Sequence, residues 1–126
     1  MDSKTMQILR RDAEDICRSA IEASVPDAAI QRALAQLPPC QGRTVLVSIG
    51  KAGWQTAKAA YDALGSTIEH GVVVTKYGHS QGLIGGLAIY EAGHPVPDEH
   101  SVRATEAALA AVSGLSARDR VLFLVS

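Results

Sequence analysis

The sequence is poor in aromatic residues and has no excess of either charge. Its 126 residues include one Trp, one Phe and three Tyr, and 12 basic residues stand against 13 acidic ones for a formal net charge of -1. Without a basic surplus, bulk electrostatics do not favour nucleic acid or an anionic membrane surface as a partner. Any anionic ligand must therefore bind at a local site.

Cysteines and long apolar segments are also scarce. Cys17 and Cys40 are accompanied by no CxxC pair and no regular histidine spacing, so neither a zinc site nor a disulfide framework is predicted. The charged amino terminus does not resemble a signal peptide, and the sequence lacks the run of about 18 apolar residues that a membrane span needs. We therefore expect a cytoplasmic protein that does not enter a membrane. With 47% hydrophobic residues, the chain is predicted to fold as one globular domain.

The first forty or so residues predict two amphipathic helices. Apolar side chains recur every three or four positions over 4–23 and so form one stripe of a helix. Ser24 as a cap, followed by Pro26 and Asp27, predicts the start of a second helix, which Pro38 ends. We expect both helices to bury their apolar stripes on the rest of the chain or on a partner.

The remaining residues alternate β-branched apolar segments with Ala-rich helical ones, which is the pattern of a parallel α/β protein. The strand at 44–49 is apolar on both faces, as is typical of a central strand. In the last helix, Val102, Leu109 and Val112 are predicted to face inward. The predicted elements are strands at 44–49, 71–75, 87–92 and 120–125, and helices at 54–64 and 99–113.

The strand at 120–125 is apolar and is followed by a single residue, Ser126. In parallel α/β proteins the ligand loops follow the carboxyl ends of the strands, and apolar central strands are covered. We therefore expect the sheet to be incomplete and the sequence to belong to a longer polypeptide. An uncovered strand of this kind also predicts self-association into a homo-oligomer.

The turn after the first strand contains the most informative residue, Lys51. It lies between Gly50 and Gly53, at the carboxyl end of a buried strand and at the start of a helix. A helix amino terminus beside an ammonium group can hold a phosphate or a carboxylate. The spacing matches neither a Walker A loop nor GxGxxG, so a plain turn with a solvated lysine remains the alternative.

Two later loops contain further candidates. His79 could act as an acid, a base or a donor to phosphate, with Ser80 as a hydroxyl donor, or both could be surface residues of a mobile or ligand-shaped loop. His94 lies in a proline-stiffened loop, where it either binds a ligand or braces the backbone. Asp98 is predicted to cap the last helix. Glu91 and Asp98 are weak candidates for magnesium, so the metal ligands stay unidentified.

Three segments together resemble a known family. VLVSIGKAGWQTAKAA, GVVVTKYGHS and YEAGHPVPDEHSVRATEAAL are similar, in order and spacing, to the amino-terminal portion of the glycerate 2-kinases, many of which are named hydroxypyruvate reductases. The resemblance spans about residues 5–126. It implies a Rossmann-like three-layer α/β/α sandwich with a mainly parallel sheet, of which residues 1–126 form the amino-terminal part. The carboxyl-terminal domain, the other wall of the active-site cleft, is absent from this sequence.

The resemblance also implies an activity. Family members transfer the γ-phosphoryl group of ATP, with Mg²⁺, to the 2-hydroxyl of D-glycerate. Lys51 matches the motif lysine and is implied to be the catalytic residue that binds the substrate or the transferring phosphate. The remaining implied binding residues are Gly50, Gly53, His79, Ser80 and His94. Metal-binding carboxylates and an arginine clamp are not recognised, so we expect them outside these residues and expect the chain alone to be inactive.

Other functions stay open. An NAD(P)H-dependent hydroxypyruvate reductase would need a dinucleotide turn and an acidic residue about 20 positions later. The GKAG turn lacks that glycine spacing, and neither Asp62 nor Glu69 is predicted to end a strand. Sugar isomerase domains place a GxGK-like turn after their first strand, so a non-catalytic sugar-phosphate binding module is a further alternative. The last is an assembly fragment that pairs through its final strand.

Overall fold

A computed structural model describes residues 2–126 as one parallel sheet with helices on both faces. The sheet order is β3-β2-β1-β4, and all three strand pairs are parallel. The predicted α/β class with a mainly parallel sheet is therefore confirmed. The elements are α1 (Ser3–Ser24), α2 (Asp27–Leu34), β1 (Thr44–Ile49), α3 (Gly53–Leu64), a 3₁₀ turn (Gly65–Thr67), β2 (Ile68–Lys76), β3 (Ala88–Ala92), α4 (Glu99–Ala111) and β4 (Arg120–Val125).

The core lies on both faces of β1, because helices cover the sheet from two sides. Leu46 and Val73 pack in a cluster with α3, whereas Val47 and Val72 pack with α4 on the opposite face. Successive side chains of a strand point to opposite faces, so adjacent residues enter different layers. This arrangement is the three-layer α/β/α sandwich that was expected, with β1 as its central strand.

The two leading helices behave differently. Leu34 of α2 is buried in the cluster that α3 forms, whereas α1 contains no buried residue. The apolar stripe of α1 is open to solvent, with Ile16 70% and Ile21 71% exposed. Of the two expected ways to bury these stripes, α2 packs on the rest of the chain, and a partner for the stripe of α1 stays a prediction.

The predicted start of α2 was wrong in one detail. Ser24 does not cap α2, because α1 extends to it and its hydroxyl donates to the Ala20 carbonyl at 2.7 Å. The position before α2 is occupied by Pro26, which has no side-chain hydroxyl. A serine whose hydroxyl donates to a carbonyl in the preceding turn of its own helix can end that helix without capping the next one.

The inward face of α4 was also predicted wrongly for two of its residues. Val102 is 58% exposed and Leu109 is 62% exposed, whereas Ala104 and Ala108 are buried. The small alanines let the helix axis approach the sheet closely, and the larger side chains are left on the outer face. Val112, the third residue predicted to face inward, packs against the cluster below α4.

The final strand occupies an edge of the sheet. Within residues 2–126, β4 pairs with β1 on one side, and Phe123 and Val125 are exposed. The sequence analysis expected an apolar strand that this chain leaves uncovered, and the exposure of Phe123 and Val125 agrees with that expectation for the described residues. The residues of β4 are apolar, as in strands that helices cover, but no described helix covers Phe123 and Val125.

Other features of the described residues agree with the composition. None of the helices within residues 2–126 combines the length and apolar character that crossing a membrane requires. Cys17 lies exposed on α1, Cys40 lies in the segment between α2 and β1, and both are free thiols, as predicted.

Replacement of Leu46 by Ala is expected to lower the free energy of unfolding by about 2–5 kcal/mol, because it leaves a cavity at a fully buried position. Leu109→Ala removes the same atoms from the exposed face of α4 and is expected to change that free energy by less than about 0.5 kcal/mol. Urea unfolding followed by the fluorescence of Trp54 measures both. Equal effects of the two substitutions would show that α4 packs through Leu109 after all.

Candidate active site

The carboxyl ends of β1 and β4 form the topological switch point of the sheet. The chain runs from β1 outward to β2 and β3, then returns to β4 on the other side of β1. Ligands of open α/β sheets bind in the crevice at such a point. Here Ser126 follows β4, its amide donates to the Ile49 carbonyl at 3.0 Å, and its hydroxyl accepts from the Ala52 amide at 3.0 Å. Lys51 therefore lies in the crevice itself.

The glycines beside Lys51 have steric reasons to be glycine. Gly50 has φ 125°, and a Cβ there would lie 2.2 Å from the Ser126 carbonyl oxygen. At Gly53 a Cβ would lie 2.8 Å from the Val74 carbonyl oxygen. The absence of side chains thus lets β4 approach the turn at Gly50 and lets the start of α3 approach β2 at Gly53. The predicted contact of Gly50 and Gly53 with phosphate stays a prediction.

Lys51 has a fixed backbone and an available side chain. Its carbonyl oxygen accepts from the Thr75 hydroxyl at 3.2 Å and contacts His79 Nδ1 at 3.2 Å. The residue is exposed, and its ammonium group forms no ion pair with the described residues. An anionic ligand can therefore contact this charge without first breaking an ion pair.

The contact with Lys51 sets the tautomer of His79. A carbonyl oxygen only accepts, so Nδ1 must carry the proton, and Nε2 of the neutral ring is left as a hydrogen-bond acceptor. His79 and Lys51 line the same cavity of about 350 Å³, together with Gln55, Gln81 and Ser126. We call this the lysine cavity. The structure thus brings two of the predicted site residues, a lysine and a histidine, to one cavity.

The loop between β2 and β3 is anchored at several points. Trp54 Nε1 donates to the Gly82 carbonyl at 2.8 Å, and Ile84 is buried in the core. The Ser80 amide donates to Glu91 Oε1 at 2.9 Å. These contacts hold the loop over the start of α3, although the sequence allowed for a mobile loop. Ser80 itself lines neither the lysine cavity nor the one described next.

His94 lies on the other side of the sheet from the lysine cavity. It lines a second cavity of about 260 Å³, formed by the carboxyl ends of β1, β2 and β3, the loop after β3, and Ser101 and Thr105 of α4. We call this the α4 cavity. The predicted cleft residues are therefore divided, with Lys51 and His79 in one cavity and His94 in the other.

A pair of residues that the sequence analysis did not combine joins the loops around the α4 cavity. Asp98 caps α4 as predicted, in a reciprocal capping box with Ser101. It also accepts from the Tyr77 hydroxyl at 2.6 Å, and this hydrogen bond holds the pKa of the Asp98 carboxyl well below its usual range. The same bond raises the pKa of Tyr77. The only signal in the sequence was the position of both residues after parallel strands.

The described residues do not form a magnesium site. Within residues 2–126 there is no group of three His, Cys, Asp or Glu side chains that could hold a metal ion. The two weak candidates are already engaged, because Glu91 accepts from Ser80 and Asp98 accepts from Tyr77 and Ser101. No catalytic step is therefore assigned to a metal held by these residues.

Replacement of Tyr77 by Phe is expected to raise the pKa of Asp98 toward the ordinary carboxyl value, because it removes the largest cause of the depression. A carboxyl whose pKa is depressed in the folded state stabilises the protein above its unfolded pKa of about 4, and this contribution is lost as the pH falls. Stability should thus depend less on pH in the acid range in the variant. A carboxyl-carbon NMR titration measures the midpoint. Tyr90→Phe is the control and should leave the titration midpoint of Asp98 unchanged. An unchanged midpoint in Tyr77→Phe would refute the assignment of the pKa depression to the Tyr77 hydrogen bond.

Comparisons with known proteins identify relatives by sequence and by fold. Residues 12–126 match the family described as a domain of unknown function, DUF4147. A D-glycerate 2-kinase of Thermotoga maritima is 50% identical over 118 residues, which are 94% of this chain and 28% of that protein. A relative from Agrobacterium vitis that carries a hydroxypyruvate reductase name is 41% identical over 126 residues, 99% of this chain and 27% of that protein.

The crystal structure of a glycerate kinase from Thermotoga maritima matches the fold with a TM-score of 0.80 and 49% identity, covering 93% of this chain and 28% of that one. The chain thus spans little more than a quarter of the length of these relatives. The resemblance to glycerate 2-kinases is confirmed, and the chain belongs to the DUF4147 family.

Proposed function

We propose that the chain is part of an ATP-dependent glycerate 2-kinase, which converts D-glycerate and ATP to 2-phosphoglycerate and ADP. The observation that carries the proposal is the exposed Lys51 at the switch point, in a chain 50% identical to a D-glycerate 2-kinase. Because the chain spans 28% of that relative, we place the second domain and the rest of the catalytic machinery outside residues 1–126.

The proposed reaction depends on positioning and positive charge. A bond forms between the 2-oxygen of glycerate and the γ-phosphorus, the bond from that phosphorus to the β–γ bridging oxygen breaks, and the hydroxyl loses its proton. Negative charge is spread over the phosphoryl oxygens throughout, so cations stabilise the transition state. Lys51 would supply one such cation, and Nε2 of His79 would accept the proton. Magnesium bound with the ATP would neutralise further phosphate charge.

The reductase alternative finds less support in the geometry. The acidic residue that binds a nicotinamide ribose follows the carboxyl end of the second strand. Here Glu69 lies near the start of β2, and Asp62 pairs with Lys58 on α3 at 2.6 Å. The carboxyl end of β2 instead carries Thr75 and Lys76. The name of the Agrobacterium relative therefore does not change the proposal.

We also propose a cytoplasmic location and a homo-oligomeric state. The exposed apolar residues Phe123 and Val125 support the second point, because uncovered strands tend to associate. The chain is expected to sediment as a species larger than its 13.2 kDa monomer at micromolar concentration. A single monomeric boundary in analytical ultracentrifugation would contradict this expectation.

The activity is tested in the intact protein that contains this chain. D-Glycerate is expected to drive ADP release from ATP in a coupled assay, whereas hydroxypyruvate is not expected to drive NADPH oxidation. Lys51→Ala should lower kcat/KM for glycerate phosphorylation by about 10²–10³, the usual effect of removing one donor that faces developing negative charge. Lys51→Arg should restore activity only partly, because a guanidinium is larger and planar.

Lys58→Ala provides the matched control. Lys58 lies on α3 and pairs with Asp62, outside both cavities, so its removal should leave kcat/KM and Tm unchanged. Near-normal kinetics of Lys51→Ala with an unchanged Tm would mean that Lys51 is an ordinary turn residue. The absence of glycerate-dependent ADP release in the unmodified protein would refute the kinase proposal itself.

A further inference from the structure

The proposed chemistry uses the lysine cavity and leaves the α4 cavity without a ligand. The walls of the α4 cavity are mostly apolar and come from rigid elements. Strand ends contribute Ile49, Val74 and Ala92, and the loop after β3 contributes Pro95 and Pro97. A concave apolar surface with a few polar groups at its margin is the usual character of a small-molecule site.

The hydroxyl groups that line the α4 cavity already have partners. Thr105 donates to the Ser101 carbonyl at 2.8 Å, and the Thr75 hydroxyl donates to the Lys51 carbonyl at 3.2 Å. The Ser101 hydroxyl is engaged in the capping box with Asp98. A carboxylate or a phosphate placed among these groups would lose its water without receiving new donors from them, and that loss is costly. An uncharged ring loses much less.

Two lining residues differ from this pattern, namely Lys76 and His94. His94 is exposed and Lys76 is partly exposed, so their donors are suited to the polar edge of a ring or to a ribose. A ligand that fits the whole cavity would thus place an uncharged ring against the apolar walls and acceptor groups near Lys76 and His94.

The two cavities lie on either side of the turn after β1. Gly50 lines the α4 cavity and Lys51, the next residue, lines the lysine cavity, and consecutive Cα atoms lie about 3.8 Å apart. One ligand with an uncharged ring at one end and a polyanion at the other would need to cross only this turn to contact both cavities. We infer that the α4 cavity binds the base of the nucleoside triphosphate whose phosphates lie at Lys51. This inference rests on the proposed kinase function.

The test fills the α4 cavity with a larger side chain at a position on α4. Thr105→Phe places a ring in the space proposed for the base, and it is expected to raise KM for ATP at least about tenfold, which corresponds to only about 1.4 kcal/mol of lost binding. KM for D-glycerate should be unchanged. Inorganic tripolyphosphate carries the phosphates without the base, so its inhibition constant against ATP should also be unchanged. Val102→Phe adds the same ring to the exposed face of α4 and should change none of these constants.

A second variant and a binding measurement keep the inference testable if the first variant folds poorly. Thr105→Met enters the same space with a flexible side chain and should raise KM for ATP in the same direction. Calorimetry with a non-hydrolysable ATP analogue reports binding even if glycerate is not the acceptor, so failure of the kinase proposal is distinguished from failure of this inference. Unchanged ATP-analogue affinity, a raised KM for glycerate, or equal weakening of tripolyphosphate and the analogue would each overturn it.

Discussion

The turn that carries Lys51 depends on two buried hydroxyl groups. Ser48 in β1 donates to the Gly53 carbonyl at 2.8 Å, and its oxygen lies 2.7 Å from the hydroxyl of Thr56 in α3. Both side chains are buried, so hydrogen bonds lost here would not be replaced by water, and that loss is costly. The core therefore fixes the direction in which α3 leaves β1. The position of Lys51 between the two cavities follows from that direction.

Much of the fold could be predicted from the sequence, because its strands are apolar and β-branched and its turns carry glycine or a capping residue. Asp98 caps α4 where the pattern placed it. The inward face of α4 could not be predicted in the same way. A scale of hydrophobicity ranks Val102 and Leu109 above Ala104, but the narrow space between α4 and the sheet admits only the alanine.

The sequence predicted Lys51, His79 and His94 in one cleft, whereas the structure places His94 in a different cavity from the other two. Lys51, His79 and His94 all follow parallel strands, and such ends meet at one edge. Which face of the sheet a loop reaches depends on the layer of its neighbouring helix, and that information is not local. The loop with His79 is held over α3 through Trp54, whereas the loop with His94 leads into α4 on the opposite face.

The exposure of α1 has a consequence for how the chain unfolds. The helix has 22 residues, about 33 Å at 1.5 Å per residue, and none of them is buried. A helix without packing is only marginally stable in water, so α1 and the sheet are separate cooperative units. Amide protons of α1 should exchange through local fraying, and those of β1 through opening of the whole sheet. A surface that binds the apolar stripe of α1 must also order this helix. The free energy of that ordering is therefore part of the free energy of association.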